Sequence, residues 1–255
     1  THPQFRLKEQ QCPGLQGDAF YGAADVIGDW VPFDSTIIAV DPSARGRDET
    51  AVVSASIYAG QVFVHRVFGL LSGYTEETLE AIAKEARRVS ANRVVIESNF
   101  GDGMFSALLR PVLNRIYPTS IEEIRNSQMK EQRIIDTLAP VLEGHRMIMH
   151  ESVLSADRLP HADEAVERQR DRQLFFQLAH LTAEKGCLAF DDRLDCLALA
   201  VAHFTEMLQL DAQSEQRQRD IELWDKLASP HEKPSGAWLD YADTSTNFFT
   251  DPFSL

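Results

Sequence analysis

Two short stretches decide how this chain is read: Thr36–Asp41, TIIAVD, and Arg93–Glu97, RVVIE. Each is a brief apolar run, too short for a helix, that ends on an acid. Runs of this kind are consistent with buried strands. Around the first lie Thr50–Tyr58 (TAVVSASIY) and Gln61–Phe68 (QVFVHRVF), which alternate and meet at Ala59-Gly60. That is a hairpin signal, so three consecutive strands are predicted. Residues 75–90 then carry an amphipathic helix. Thr75 is its N-cap, Glu76 and Glu77 occupy the dipole-favoured first turn, and Leu79, Ile82, Ala83 and Ala86 form the buried stripe.

Beyond RVVIE the pattern keeps alternating. Helices are expected at 103–115, 128–142, 162–184 and 192–209, with short strands at 120–124 and 146–150. The last helix is apolar almost all round in its middle, which marks it as central to the core. Strand-strand-strand-helix-strand-helix, followed by alternation, predicts an α/β domain with a mixed sheet. The initial hairpin argues against a purely parallel one.

The acids carry the chemistry. A carboxylate at the end of a buried strand is pressed into an apolar cleft, which is costly unless its charge is offset. A hard divalent cation offsets it with oxygen ligands. Asp191, Asp192 and Asp195 open the apolar helix, and Asp192 and Asp195 project from one face. If that helix crosses the sheet, Asp41, Glu97, Asp192 and Asp195 can converge, enough to hold two ions about 4 Å apart. Each acid also has a structural reading. Asp41 can start the Asp41-Pro42-Ser43 turn, Glu97 can pair with an arginine, and Asp191 or Asp192 can be an N-cap.

Four segments resemble a known family. IIAVDPSARGRDETAVV, VVIESNFGDGMF, MKEQRIIDTLAPVLEGHRMIMH and AFDDRLDCLALA look like the nuclease domain of tailed-phage large terminase subunits, nearest the podophage DNA maturase B type. The likeness covers roughly residues 36–205. It implies a ribonuclease H-like fold: a mixed sheet with three initial antiparallel strands flanked by helices. It implies an endonuclease that cuts concatemeric double-stranded viral DNA during packaging, using two magnesium or manganese ions. On that resemblance Asp41, Glu97 and Asp195 are catalytic metal ligands, with Asp192 assisting and Asp191 a further candidate. Cys196 stands where the family's D-x-x-D-A stretch has alanine. The implied partners are double-stranded DNA, the terminase small subunit, the portal protein and an ATPase domain of the same full-length chain, all in the host cytoplasm rather than the mature virion.

Basic residues beside these motifs are the candidates for holding phosphates: Arg45 and Arg47 after Asp41, Lys130 and Arg133 one turn apart, and Arg193 between the paired acids. Ser98 and Asn99, next to the Gly101-Asp102-Gly103 turn, are candidates too. Each basic residue can equally be a solvated surface charge. Contacts of this type read backbone rather than sequence. Arg168, Arg170 and Arg172, interleaved with acids, read as a solvated helix face.

Composition sets the outer limits. The 255 residues are 44% hydrophobic and 25% charged, which is ordinary for a globular chain. The net charge of −14 argues against a protein that coats nucleic acid electrostatically, but leaves room for an enzyme that engages DNA through a small local patch or is held on DNA by another domain. Three scattered cysteines make no disulfide framework or C-x-x-C metal site, which points to a reducing setting. No membrane span or signal peptide is expected. The chain starts at Thr1 and has no G-x-x-x-x-G-K-[ST] loop. The expectation is therefore a lead-in linker from a missing ATPase domain at 1–35, a nuclease domain at 36–210 and an acidic tail at 211–255. That tail has nine acids against four Lys or Arg, and it ends in FFTDPFSL. The rival readings are a Holliday-junction-resolvase-like nuclease and a portal or capsid docking module with weak or no cleavage.

Overall fold

A computed structural model describes residues 7–11, 19–23, 31–43, 48–98, 103–126, 128–157, 165–205, 208, 217 and 221, the first two segments by backbone alone. The chain divides into two compact units, 1–212 and 213–255. In the first, strands β1 (Leu7–Gln11) and β2 (Ala19–Ala23) pair antiparallel on their own.

The main sheet has six strands. β3 (Ser35–Asp41), β4 (Thr50–Tyr58) and β5 (Gln61–Leu70) follow one another antiparallel. After α1 (Glu76–Val89) the chain returns as β6 (Arg93–Glu97), parallel to β3. α2 (Met104–Ile116) leads to β7 (Ser120–Ile124), and α3 (Lys130–Glu143) to β8 (Met147–Met149). The resulting order is β7-β6-β3-β4-β5-β8. Four further helices follow among the described residues: α4 (Glu151–Asp157), α5 (Val166–Asp171), α6 (Leu174–His180) and α7 (Asp192–His203).

β3 is apolar on consecutive positions because both its faces are covered. Ile38 and Val40 pack with α1 and α2 through Ile82, Ala86, Leu109 and Leu113. Ile37 and Ala39 pack on the opposite side with α3, α6 and α7. α1 starts on Thr75, whose hydroxyl accepts from the Thr78 amide at 3.4 Å. It stops at Ser90, which is held in the left-handed region (φ 54°, ψ 50°).

The single helix expected over 162–184 is not formed among the described residues. α5 ends at Asp171 and α6 restarts at Leu174. Arg172, between them, turns inward instead of lying on a solvated face: it is 1% exposed and stacks 4.0 Å from the Phe190 ring centroid. The Asp157 carboxylate then accepts from the free amides of Leu174 and Phe175 at 2.8 and 3.1 Å, capping the new helix. α4 itself was not foreseen. α7 is capped at Phe204, and most of the continuation expected up to 209 lies outside the described residues.

Candidate metal centre

β3 and β6 run parallel with Val40 beside Ile96. Their final residues, Asp41 and Glu97, therefore leave the same edge of the sheet next to each other. α7 lies across β3 and β4 and brings Asp195, in its first turn, to that edge. One carboxylate oxygen from each of Asp41, Glu97 and Asp195 lies within 4.8 Å of the others. Glu97 is 5% and Asp195 2% exposed.

Asp41 and Asp195, enclosed this closely, resist ionising together. Burial, and then the charges of Asp195, Glu97 and Asp192, push the Asp41 carboxyl well above the usual carboxylate range, with Lys130 acting against them. Burial also raises Asp195, although Lys130 and Arg133 work against the shift. The helix α3 supplies these opposing charges. Lys130 Nζ donates to Asp191 Oδ1 at 2.9 Å and approaches Asp195 Oδ2 at 3.0 Å. Arg133 Nη2 donates to Asp195 Oδ1 at 2.6 Å and stands 3.5 Å from Glu97 Oε1. Asn126, after β7, donates from Nδ2 to Glu97 Oε1 at 3.1 Å. Burial disfavours the Lys130 ammonium, yet Asp195 and Asp191 raise its pKa above the ordinary value.

The other sequence candidates are placed differently. Asp192 is not part of the three-acid group; it accepts from the Glu49 amide at 3.4 Å. Burial lifts its pKa to about 7, with Asp48, Asp191 and Glu49 adding to the rise and Lys130 opposing it. Asp191 takes the N-cap position of α7 without a capping bond from its side chain, and pairs with Lys130. Ser98 is 7% exposed; its amide donates to Ile124 O and its enclosed hydroxyl has no partner among the described residues. Arg45, Arg47 and Asn99 lie outside the described residues. Arg193 corrects the expectation of a phosphate contact. It is 4% exposed, and its guanidinium is taken up by Glu49 and Asp157, which leaves no open face for DNA.

Sequence reasoning missed Glu49, Asn126 and Asp157. Glu49 sits in a charged RGRDE stretch that looks solvated, yet it is 1% exposed. Asn126 and Asp157 carry no local signal, since their partners are remote in sequence. Cys196, the small residue next to Asp195, is buried against the sheet with Sγ 3.4 Å from Ala51 O.

The arrangement suits hard divalent cations. It offers oxygen donors only, at one point, and the uncompensated negative charge has already drawn in two cationic side chains.

Residues 40–147 match the family described as Terminase Bacteriophage T7, Ribonuclease H-like domain. The "Terminase, large subunit" of Enterobacteria phage T3 is 37% identical over 209 residues, covering 82% of this chain. This chain spans about a third of that relative's length, 36%. Among solved structures, the human cytomegalovirus terminase nuclease domain (manganese-soaked, inhibitor bound) aligns over 68% of this chain and 83% of its own. Its identity is 11% and its TM-score 0.47. A mutant nuclease domain of the phage Sf6 large terminase subunit, with manganese and beta-thujaplicinol, aligns over 68% and 90%, at 14% identity and TM-score 0.44. The assignment rests on the two sequence matches, together with the mixed sheet and its flanking helices. This chain therefore carries a ribonuclease H-like nuclease domain of a terminase large subunit, of the bacteriophage T7 family.

Proposed function

We propose that this chain is a metal-dependent endonuclease that cuts concatemeric double-stranded viral DNA during genome packaging. The observation that carries the reading is the meeting of Asp41, Glu97 and Asp195 within 4.8 Å at the carboxyl ends of two parallel strands. These residues would hold two magnesium or manganese ions, with Asp192 assisting from one turn earlier on α7. Such ions, when bound, supply an activated water and stabilise the departing 3′ oxygen of an in-line phosphodiester displacement.

The chain's own residues do the rest. The three carboxylates would hold such ions without an intervening flexible loop, because two stand on strands and one on a packed helix. Asn126 fixes the Glu97 carboxylate through Oε1. Lys130, about a third exposed, stands beside the acids and open to solvent, and it suits a DNA phosphate. Arg45, Arg47 and Asn99 are proposed to extend that contact along the backbone. A net charge of −14 makes binding to DNA dependent on these few residues and on the ions.

The lead-in at 1–35 is proposed to join an ATPase domain of a longer chain, and the acidic 211–255 segment to be a tail. In this reading the chain works in the host cytoplasm with a terminase small subunit and a portal protein. No helix among the described residues is long and apolar enough to cross a membrane.

Plasmid digestion with magnesium or manganese tests the reading. Nicking or linearisation is expected with the native chain and not with Asp41→Ala or Glu97→Ala; robust cleavage by either variant would reject the site. Preference for a four-way junction over linear duplex would favour resolvase-like chemistry instead.

A further inference from the structure

Behind the acidic centre lies a second charged constellation that no catalytic step above uses. Arg193 Nε donates to Glu49 Oε1 at 2.5 Å and Arg193 Nη2 to Glu49 Oε2 at 3.2 Å, a two-pronged pair of the kind that fixes geometry as well as charge. Arg193 Nη1 donates to Asp157 Oδ1 at 3.4 Å. All three side chains are nearly sealed: Glu49 is 1% exposed, Arg193 4% and Asp157 5%.

Each end of this chain of contacts is anchored. Asp157 also holds the amides of Leu174 and Phe175 at the start of α6. Gln177 on α6 accepts from the Leu194 amide at 3.0 Å, tying the next residue of α7 to the same helix. Glu49 precedes β4 and is fitted against β5 at Gly69. A Cβ at that glycine would fall 1.8 Å from Glu49 Oε2, so the carboxylate uses space that only glycine leaves. The Glu49 amide reaches Asp192 Oδ2 at 3.4 Å.

The carboxyls of Asp41 and Glu97 lie within 4.8 Å of Asp195 and push against it when ionised. Lys130 and Arg133 counter that push, but they do so on Asp195 itself, the oxygens an incoming cation has to take. The Glu49–Arg193 pair grips the first turn of α7 through Arg193 itself, two residues before Asp195. It can therefore hold the helix in place after a cation has taken those oxygens.

We infer that Glu49 and Arg193 are positioning residues that set the first turn of α7 against the end of β3, and so fix the spacing of the metal-binding carboxylates. The inference rests on the metal-dependent reading of the site. Groups that orient metal ligands from behind typically change metal affinity by about 10–100-fold when removed.

The test is Mn2+ titration of the full 255-residue chain, followed by electron paramagnetic resonance of free Mn2+, alongside thermal unfolding without metal. Glu49→Gln and Arg193→Lys each break the two-pronged pair, and both are expected to weaken Mn2+ binding by about tenfold or more. Gly69→Ala is expected to act in the same direction while changing no charge, because it displaces the Glu49 carboxylate. Lowered unfolding temperature with unchanged Mn2+ affinity would make the pair purely structural and overturn the inference. Where a single variant fails to fold, Glu49→Gln combined with Arg193→Met removes both buried charges of the pair. Native Mn2+ affinity in that double variant, or its failure to fold as well, overturns the inference too. Absence of Mn2+ binding by the native chain would instead defeat the metal-dependent reading itself.

Discussion

Arg133 Nη2 lies 2.6 Å from Asp195 Oδ1, and the same nitrogen stands 3.5 Å from Glu97 Oε1. One guanidinium on α3 thus bridges an acid from a helix and an acid from a strand. Its Nε is enclosed and has no hydrogen-bond partner among the described residues.

Removing that bridge leaves two buried carboxylates facing each other. Arg133→Ala is expected to lower stability by about 3 kcal/mol, the size typical of breaking one side of a buried ion pair. Excess Mn2+ should restore part of the loss, since a ligand that binds only the folded state stabilises it. Thermal unfolding with and without Mn2+ checks this. Equal Mn2+ shifts in Arg133→Ala and the native chain would count against the bridging role.

Asp41 illustrates a site that trades stability for chemistry. Its carboxyl is raised well above the ordinary range by burial and by three neighbouring acids. Its ionised form therefore costs stability at neutral pH. Asp41→Asn is expected to abolish plasmid cleavage while raising the unfolding temperature of the metal-free chain. A fall in that temperature would show that the acid is a structural element rather than a functional one.

His65 gives a pH dependence of known sign. Burial, then the charges of Arg88 and His150, lower its pKa from 6.5 to about 4, while Glu85 works the other way. Its Nε2 is 2.7 Å from the Ser56 hydroxyl, which is 2.7 Å from Thr36 Oγ1. Between pH 6.5 and 4 the unfolded chain binds a proton that the folded chain refuses. The contribution of His65 is thus complete above pH 6.5 and is lost as pH falls towards 4. His65→Gln should remove on the order of 2 kcal/mol of acid destabilisation over that window. Chemical denaturation at a series of pH values measures it, and identical slopes in the two chains would contradict the assignment.

Ser90 carries backbone strain, with φ 54° at the end of α1. A left-handed conformation costs a non-glycine residue about 1–2 kcal/mol. Ser90→Gly should therefore raise stability by about 1 kcal/mol, readable as a higher denaturation midpoint with unchanged slope. A neutral or destabilising result would mean that the Ser90 side chain contributes more than its strain.

What could be read in advance was local. TIIAVD and RVVIE are short apolar runs ending in acids, and they became adjacent parallel strands because both of their faces are covered. Thr75 capped its helix as its hydroxyl and position predict. Where the reading failed, the deciding partner was distant in the chain. The helix expected across 162–184 breaks at Arg172 because Phe190 and Asp157, 18 and 15 residues away, offer the guanidinium a ring and the new helix a cap. Arg193 looked like a free cation beside two acids, but Glu49, 144 positions earlier, claims it.

The sequence by itself determined the strands of the main sheet, the helices at 75–90, 103–115 and 128–142, and which acids stand at element ends, since these follow from periodicity and caps within a few residues. Only the tertiary structure decided which acids share a point. Asp41, Glu97 and Asp195 meet, whereas Asp192 and Asp191 turn to Glu49 and Lys130. The physical reason is that burial and Coulomb forces act through space, so each charge is assigned by whichever opposite charge or donor the fold brings within reach.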